Sequence, residues 1–587
     1  MKIFYCAVFD NLGSMGYGAD NAKLRELENL GHLVMPYNYR IRGEQLDKNP
    51  LRSHRRDEEI VEFCINWSPD FIIFSKCNGI DNSVFTRLKQ IAPLCYWFAD
   101  PLVTYENREF YEKTRIADFF LCDKKNVLDK AFEFNEHCFL VTDGFDRLLE
   151  KPRGVKKDIN VSFIGNLYGD RQEKIKKINN KVEIISGVYG EDHSYAVSRS
   201  KINLNFCTTD GQSDRVFKVL AAGGFLLTDD WPDREEFFDD GKDLVVYKDF
   251  EDLNKKIKYY LENPREREEI AKSGNKKVQK YNRREWAKKT ISIFNSFSYN
   301  PRENKDKKET ILIAGPWVGE FGWELFCWHG YIRSLSRFYD KTVCISNPTS
   351  RFLYEDFCDE YIEYTPDGGD YRDSYYKVGF KVDQALISKF VKELSINHSA
   401  QKVSLMVPRR IGDPPRTHFE ERFQFGALYV KPLYKKFGND LGLKNRTIVI
   451  HARNRKLRPE DNWPREKWEN LVKKLIKSCY NVISIGMKSC SMHIEGTEDK
   501  RECDQQELLD LLASSEAILG PSSGPMCLGS LCGCPQVVWT TDYNIERFTK
   551  NWNPFDTKVL MLVDHGWQPS AEYVKERYFN WENKDEI

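Results

Sequence analysis

One arrangement of residues occurs twice in this chain and restricts its fold more than any other feature. In Ser213-Asp-Arg-Val-Phe-Lys-Val-Leu-Ala-Ala-Gly-Gly-Phe-Leu-Leu-Thr-Asp229 a polar loop runs into a small-residue helix, Gly223-Gly224 stop it, and a short apolar strand follows. Far downstream, Gly520-Pro-Ser-Ser-Gly-Pro-Met-Cys-Leu-Gly-Ser-Leu-Cys-Gly-Cys-Pro-Gln-Val-Val-Trp539 repeats the plan, with a Gly/Ser loop, a helix ending at Gly533 and a strand. A loop–helix–strand unit of this kind belongs to an α/β fold. Its helix N-terminus offers unpaired N–H groups and a positive dipole end, which suit a diphosphate.

The pattern extends in both directions. The first strand is expected at Ile3–Phe9, followed by the glycine-rich loop Asn11–Gly18 and a helix over Ala22–Leu30 that Gly31 closes. Further strands are expected at Phe71–Ser75, Leu94–Phe98, Phe119–Cys122 and Phe139–Val141, alternating with helices over Asp57–Trp67, Ser83–Ile91 and Lys125–Phe134. Such alternation implies a parallel sheet covered on both faces. After a basic hinge at Lys151–Lys157, a second unit begins at Ile159. Its later strands are expected at Val182–Ser186, Ile202–Phe206, Gly224–Thr228 and Leu244–Tyr247, with helices over Phe250–Glu262 and Pro264–Tyr281. Residues 300–309 are polar and lysine-rich and read as a linker. The pattern restarts with strands at Ile311–Ala314, Thr342–Ser346 and Val403–Val407, crosses a polar bridge at Pro408–Gly426, and continues with a unit opening at Arg446-Thr-Ile-Val-Ile-His-Ala-Arg453 and strands at Asn481–Ile485 and Ala517–Leu519. The expected fold is α/β, with Rossmann-like ranges at 1–150, 158–297, 310–440 and 446–565 forming two modules, 1–299 and 310–587.

A length of 587 residues agrees with about three to five folding units. Lys plus Arg equals Asp plus Glu at 89 each, so composition does not favour nucleic acid as the main partner. The sixteen cysteines are scattered, several inside apolar runs, as expected of reduced thiols in a cytoplasmic protein. The apolar N-terminus is too short for a signal peptide, and no apolar run reaches the ~18 residues of a membrane helix. The expectation is a soluble protein without a transmembrane segment.

The first module resembles the CgeB-like glycosyltransferases. The residues carrying this are Leu30-Gly-His-Leu-Val34, Cys95-Tyr-Trp-Phe-Ala-Asp-Pro101, Asn160-Val-Ser-Phe-Ile-Gly-Asn-Leu-Tyr-Gly-Asp-Arg171, Ser200-Lys-Ile-Asn-Leu-Asn205 and the Arg215–Asp229 segment. The resemblance implies a GT-B fold, two Rossmann-like domains facing across a cleft, with the donor held mainly by the second. The residues themselves agree. Gly165 and Asn166 leave a strand C-terminus, where open α/β sheets bind ligands. Arg171 and Lys176 either neutralise a diphosphate or stay solvated surface charges. Asp100, in an Ala-Asp-Pro turn, either binds an acceptor hydroxyl or caps the turn. Relatives place a ribose-binding Glu where Lys218 stands, and Lys cannot accept a hydrogen bond. Lys218 therefore either meets a phosphate or marks a changed donor site, with Asp210, Asp214 and Arg215 close by.

The second module resembles the heptosyltransferase-like family, an inverting GT-B group. The carriers are Gly319-Glu320, Val449-Ile-His-Ala-Arg453 and Leu519-Gly-Pro-Ser-Ser-Gly-Pro-Met-Cys-Leu-Gly529. Relatives have Asp where Ser522 stands and His where Cys527 stands, so the donor contacts are altered, with Ser522, Ser523 and Gly524 as the donor-binding candidates of this loop. His451-Ala-Arg453 is also similar to the His-x-Arg motif of fucosyltransferases, in which the Arg binds the donor diphosphate; Arg453 can fork onto two phosphate oxygens. Inverting transfer needs a carboxylate to take the acceptor proton. The resemblance puts Glu320 in that role, with Glu324 one turn later as the alternative. Either can instead be a helix-N-terminal carboxylate stabilised by the dipole.

The expectation is a bifunctional, metal-independent glycosyltransferase of the hexosyl or pentosyl type, acting in polysaccharide biosynthesis. It has no cofactor, a nucleotide sugar as donor, and a glycan or other hydroxyl-bearing acceptor. Two alternatives stand beside it. In one, a single module is catalytic and the other is a non-catalytic glycan- or partner-binding scaffold. Basic patches at Arg52–Arg56 and Arg409–Arg416 also keep a phage-type enzyme acting on modified DNA bases in view.

Overall fold

The computed structural model describes residues 1–10, 16–47, 52–167, 169–207, 213–297, 310–317, 319–365, 393, 402–406, 432–442, 446–456 and 458–582. The linker expected at 300–309, the bridge expected at 408–426 and the candidate Asp210 lie outside them. The main division of the chain into two compact units falls between Lys307 and Lys308.

The first unit holds two parallel sheets. One takes β1 (Lys2–Ala7), β2 (Leu33–Asn38), β3 (Phe71–Ser75), β4 (Leu94–Phe98), β5 (Phe119–Cys122) and β6 (Cys138–Leu140) in the order β2-β1-β3-β4-β5-β6. The other takes β7 (Ile159–Ile164), β8 (Glu183–Ile185), β9 (Ser200–Asn205), β10 (Leu226–Asp229) and β11 (Val245–Tyr247) in the order β11-β10-β9-β7-β8. Its strands are apolar on both faces because helices cover both. Val161 and Phe163 of β7 enter one buried cluster with Leu204 and Ile257, whereas Ile164 enters another with Val216 and Phe217. The strand order reverses between β7 and β9, which makes their C-terminal ends a switch point.

A helix over Arg283–Ser296 is absent from the sequence reading above. It does not complete the second sheet of this unit. Its Trp286, Ala287 and Ile293 pack with Ile3, Tyr5 and Trp97 of the first sheet, so the chain returns to where it began. The Rossmann-like range drawn to 297 therefore ends in a helix that belongs to the core of the first range.

The second unit also holds two parallel sheets. β12 (Thr310–Ala314), β13 (Lys341–Ser346), β14 (Glu360–Glu363) and β15 (Lys402–Met406) take the order β14-β13-β12-β15. β16 (Thr447–Ile450), β17 (Asn481–Ser484), β18 (Glu498–Asp499), β19 (Ala517–Pro521), β20 (Gln536–Trp539) and β21 (Val559–Leu562) take the order β18-β17-β16-β19-β20-β21. The reversal here lies between β16 and β19. Trp463, Trp468 and Trp539, with ring centroids 4.8–5.2 Å apart, anchor one face of that sheet. Among the described residues no helix is long and apolar enough to cross a membrane.

Candidate functional site

In the first unit the switch point is occupied by an arginine. Ser213 caps the helix Asp214–Ala221 by accepting from Arg215 N at 3.3 Å, which sets Arg215 in the first turn. Its guanidinium reaches back across the strand ends. Nε donates to Ile164 O of β7 at 2.8 Å, Nη1 donates to Asn205 Oδ1 of β9 at 2.9 Å, and the plane lies over the Phe163 ring at 4.7 Å. Gly165 makes room for it: φ is +145°, and a Cβ there would stand 2.5 Å from Arg215 Nη2. Buried Arg171 donates to Asn166 O at 3.1 Å and closes the same loop.

Around this arginine lies a cluster of opposed charges. Lys218 is 3.5 Å from Asp214 and 3.9 Å from Glu150. Arg283 is 1% exposed and lies 3.6 Å from Asp143 and 3.8 Å from Asp214. None of its guanidinium nitrogens has a hydrogen-bond partner among the described residues. Burial works against its charge, but Asp143 first, then Glu150 and Asp214, hold its pKa above the ordinary value. Asp143 takes Lys23 at 2.7 Å; burial opposes its ionisation, and Lys23 and Arg283 overcome this and hold it below the carboxylate range. His193 is driven down to about 3 by burial and by Lys218 and Arg215, so its imidazole is neutral.

Glu150, Asp143, Lys23, His193 and Arg283 were not candidates in the sequence. Asp143 and Glu150 come from the segment between β6 and β7 and the others from three separate helices, and only folding assembles them. A local signal existed for Arg283, which opens a helix capped by Asn282. Asp100, one of the acceptor candidates, is ion-paired with Lys76 where β4 and β3 end. Lys176 pairs with Glu173 at 2.8 Å and is exposed.

In the second unit two strand ends meet beside a helix start. His451 and Arg453 leave β16, and Ser522 and Ser523 leave β19 and open the helix Gly524–Cys532. Ser523 stands at the N-cap but makes no cap bond; its Oγ lies 2.8 Å from His451 Nδ1 instead. Burial, then Arg453 and Arg455, push His451 down to about 3, so it is neutral. Arg453 is 1% exposed. Its Nη1 donates to Ser522 O at 3.3 Å and its Nη2 is 3.5 Å from Asp461, while Nε and Nη2 have no hydrogen-bond partner among the described residues. Burial first, then Arg455, bring its pKa down to about 10.

Glu320 and Glu324 separate here. Glu320 occupies the N-cap of the helix Phe321–Cys327, with Arg455 at 3.6 Å from its carboxylate. Glu324 is fully buried. It accepts from the hydroxyls of Ser346, Ser350 (2.6 Å) and Tyr354 (2.9 Å). A carboxylate enclosed by three hydroxyl donors is part of the core and does not meet an acceptor, which corrects the alternative placed at Glu324. Cys527, where relatives have His, is buried and its thiol is pushed up to about 12. Among the described residues no three His, Cys, Asp or Glu side chains gather as metal ligands.

Residues 147–291 match the family model described as glycosyl transferase-like. No curated protein matches the sequence. Among solved structures the chain is similar to Anabaena Alr3699/HepE in complex with UDP-glucose, at 12% identity over 51% of this chain and 100% of that one, with a TM-score of 0.37. It is similar to sucrose-phosphate synthase from Thermosynechococcus elongatus at 11% identity over 50% and 98%, with a TM-score of 0.40. It is also similar to E. coli heptosyltransferase WaaC with ADP, at 13% identity over 46% and 99%, with a TM-score of 0.31. Likenesses of this depth carry no functional argument.

Proposed function

We propose that the chain is a glycosyltransferase of two modules, CgeB-like and then heptosyltransferase-like, moving a glycosyl group from a nucleotide sugar to a hydroxyl-bearing acceptor. One observation carries the reading. At the reversal of strand order in β7–β11 and again in β16–β21, an arginine held by backbone carbonyls sits beside the start of a helix. A diphosphate leaving group needs its developing charge neutralised, and a fixed guanidinium beside the positive end of a helix supplies that without reorganisation. The same pairing serves in place of a divalent ion, so donor binding is metal-independent in this reading.

In the second unit the acceptor hydroxyl loses its proton to Glu320 as it attacks, and Arg455 keeps that carboxylate in place. The family match at 147–291 supports the same class of reaction in the first unit. One observation there favours a narrower role. Lys218 is engaged by Asp214 and Glu150, so no carboxylate stands at that position to hold a ribose. In that second reading the first unit is a binding module for the second.

The test is calorimetric titration of the full chain with UDP, GDP, ADP and their sugars. At least one nucleotide diphosphate should bind, and Arg453→Ala should weaken it by ~1.5–3 kcal/mol, the worth of a lost charge-assisted contact. Absence of binding across the panel overturns the reading.

A further inference from the structure

Glu150 lies in the segment between β6 and β7, in a turn that its own hydrogen bonds fasten. Its N–H donates to Asp146 O at 2.8 Å, and its Oε2 accepts from Asp146 N at 2.7 Å. The second oxygen, Oε1, faces Lys218 at 3.9 Å. The carboxylate is therefore fixed in place, and its side chain is only 5% exposed. Lys218 is its opposite in this respect. Its side chain is 25% exposed, and it stands one helical turn after Asp214, 3.5 Å from that carboxylate.

A diphosphate at the start of the helix Asp214–Ala221 lies on the same side as this ammonium group. To meet a phosphate oxygen, Lys218 has to leave Glu150, and Glu150 is buried and tied to Asp146, so it cannot turn to water instead. Separating a buried carboxylate from its cation leaves the charge uncompensated. Burial already pushes the Glu150 carboxyl up, and Lys218 first, then Arg283, hold it back only in part. Arg283 is itself shared with Asp143 and Asp214. A protonated Glu150 makes no claim on Lys218, and the ammonium is then available to a phosphate.

We propose that Glu150 sets the affinity of the first site, as an internal carboxylate that competes with a nucleoside diphosphate for Lys218 and yields when it takes a proton. This rests on the reading of the Arg215 site as a diphosphate site. The groups facing the pair are Asp146 in the same turn, Arg283 with Asp143, Asp214 beside Lys218, and His193 and Asp10, both influenced by the Lys218 charge. Ligand binding draws Lys218 off and pushes Glu150 further up, so the bound state takes up a proton. Affinity therefore rises as pH falls.

The experiment is calorimetric titration of the full chain with UDP-, GDP- and ADP-glucose, whose doubly esterified diphosphates do not titrate between about pH 5.5 and 8. The binding event lost in Arg215→Ala reports the first site. In wild type it should tighten as pH falls from about 8 to about 5.5. Glu150→Gln keeps an oxygen for the Asp146 N–H and removes the charge. It should bind at least about tenfold tighter at about pH 8 and lose the pH dependence. Arg215-dependent binding of equal strength in wild type and in a variant with the wild-type unfolding curve overturns the proposal and leaves the diphosphate reading standing. So does a pH dependence that survives the substitution, which moves the proton to His193 or Asp10. If the unfolding curve of the variant departs from wild type, the wild-type profile decides: affinity that is flat or falls in acid overturns the proposal. Absence of an Arg215-dependent event in both proteins at both pH values overturns the diphosphate reading of the first site, and the competition with it.

Discussion

Glu320 keeps 20% of its side chain exposed beside Arg455, whereas Glu324, one turn later, has no exposed surface and three hydroxyl donors around it. The same substitution at each should therefore have opposite consequences. Glu320→Gln should leave donor affinity and stability unchanged and lower turnover by ~10²–10⁴, the usual span for loss of a general base. Glu324→Gln replaces one acceptor oxygen by a donor amide facing hydroxyls that already donate. It should cost ~1–3 kcal/mol of stability, read as a lower urea midpoint. Full turnover in Glu320→Gln removes that residue from the chemistry. Much of the second site was legible because it is local. Strand ends at His451 and Arg453 and a helix start at Ser523 are patterns of a few residues. The first site was half legible for the same reason. Arg215 follows its capping Ser213, but Asp143 and Glu150 are brought to it by the segment between β6 and β7, and Arg283 by the helix Arg283–Ser296.

The elements show where pattern suffices and where packing decides. Strands at Phe71–Ser75, Leu94–Phe98 and Phe119–Cys122 have the bounds their apolar runs predict, because a strand covered on both faces is one continuous apolar word. The helix Arg283–Ser296 carries the periodic set Trp286, Ala287, Thr290 and Ile293, and its destination on the first sheet is a property of the whole unit. Helix Pro264–Val278 supports the site from behind. Asn275 Nδ2 donates to Leu220 O at 2.8 Å and Ala221 O at 2.9 Å, capping the helix that carries Arg215 and Lys218. The close approach depends on Gly274, where a Cβ would lie 2.1 Å from Asp243 O and 2.8 Å from Leu220 Cδ2. Alanine is the better helix former by ~1 kcal/mol, but overpacking against a backbone carbonyl costs ~1–3 kcal/mol and displaces the neighbour. Gly274→Ala should therefore lower the urea midpoint of the first unit. A midpoint at or above wild type would mean that the two helices can separate at no cost.

At the scale of the molecule the two units differ in how they respond to acid. His329 and His451 in the second unit are each held down to about 3, chiefly by burial. Between about pH 3 and their unfolded value of about 6.5, the unfolded chain binds protons the folded chain refuses. Stability therefore falls as pH drops through that window, by ~1.4 kcal/mol per unit for each histidine. The first unit has His193, likewise at about 3, but also Asp123, pushed up to about 7 by burial. Asp123 has the opposite sign: it stays protonated in the folded chain above its unfolded value of about 3.9, so its contribution falls as pH rises. The two oppose each other between about pH 4 and 6.5. From pH 6.5 to 5 the second unit should lose ~3 kcal/mol while the opposed His193 and Asp123 terms of the first nearly cancel. Calorimetry should resolve two transitions, with the one that Glu324→Gln also lowers moving down in acid. Equal movement of both would remove the histidines as the cause.

Two arginine sites in separate units should also appear as two nucleotide-binding events per chain. Each depends on its own guanidinium, since Arg215 and Arg453 share no sheet and no helix. Arg215→Ala should leave the event that Arg453→Ala weakens, and the reverse should hold. Arg215 also ties β7 to β9, so its removal costs packing as well as charge, and the fold of that variant needs checking by its unfolding curve. Turnover decides what the first event is for. If Arg215→Ala removes one binding event and leaves the rate of glycosyl transfer unchanged, the first unit binds without transferring. If it removes one event and one of two products, both units are enzymes. A single event, lost in Arg453→Ala and intact in Arg215→Ala, would mean that Lys218, tied to Asp214 and Glu150, has closed the first site to nucleotides altogether.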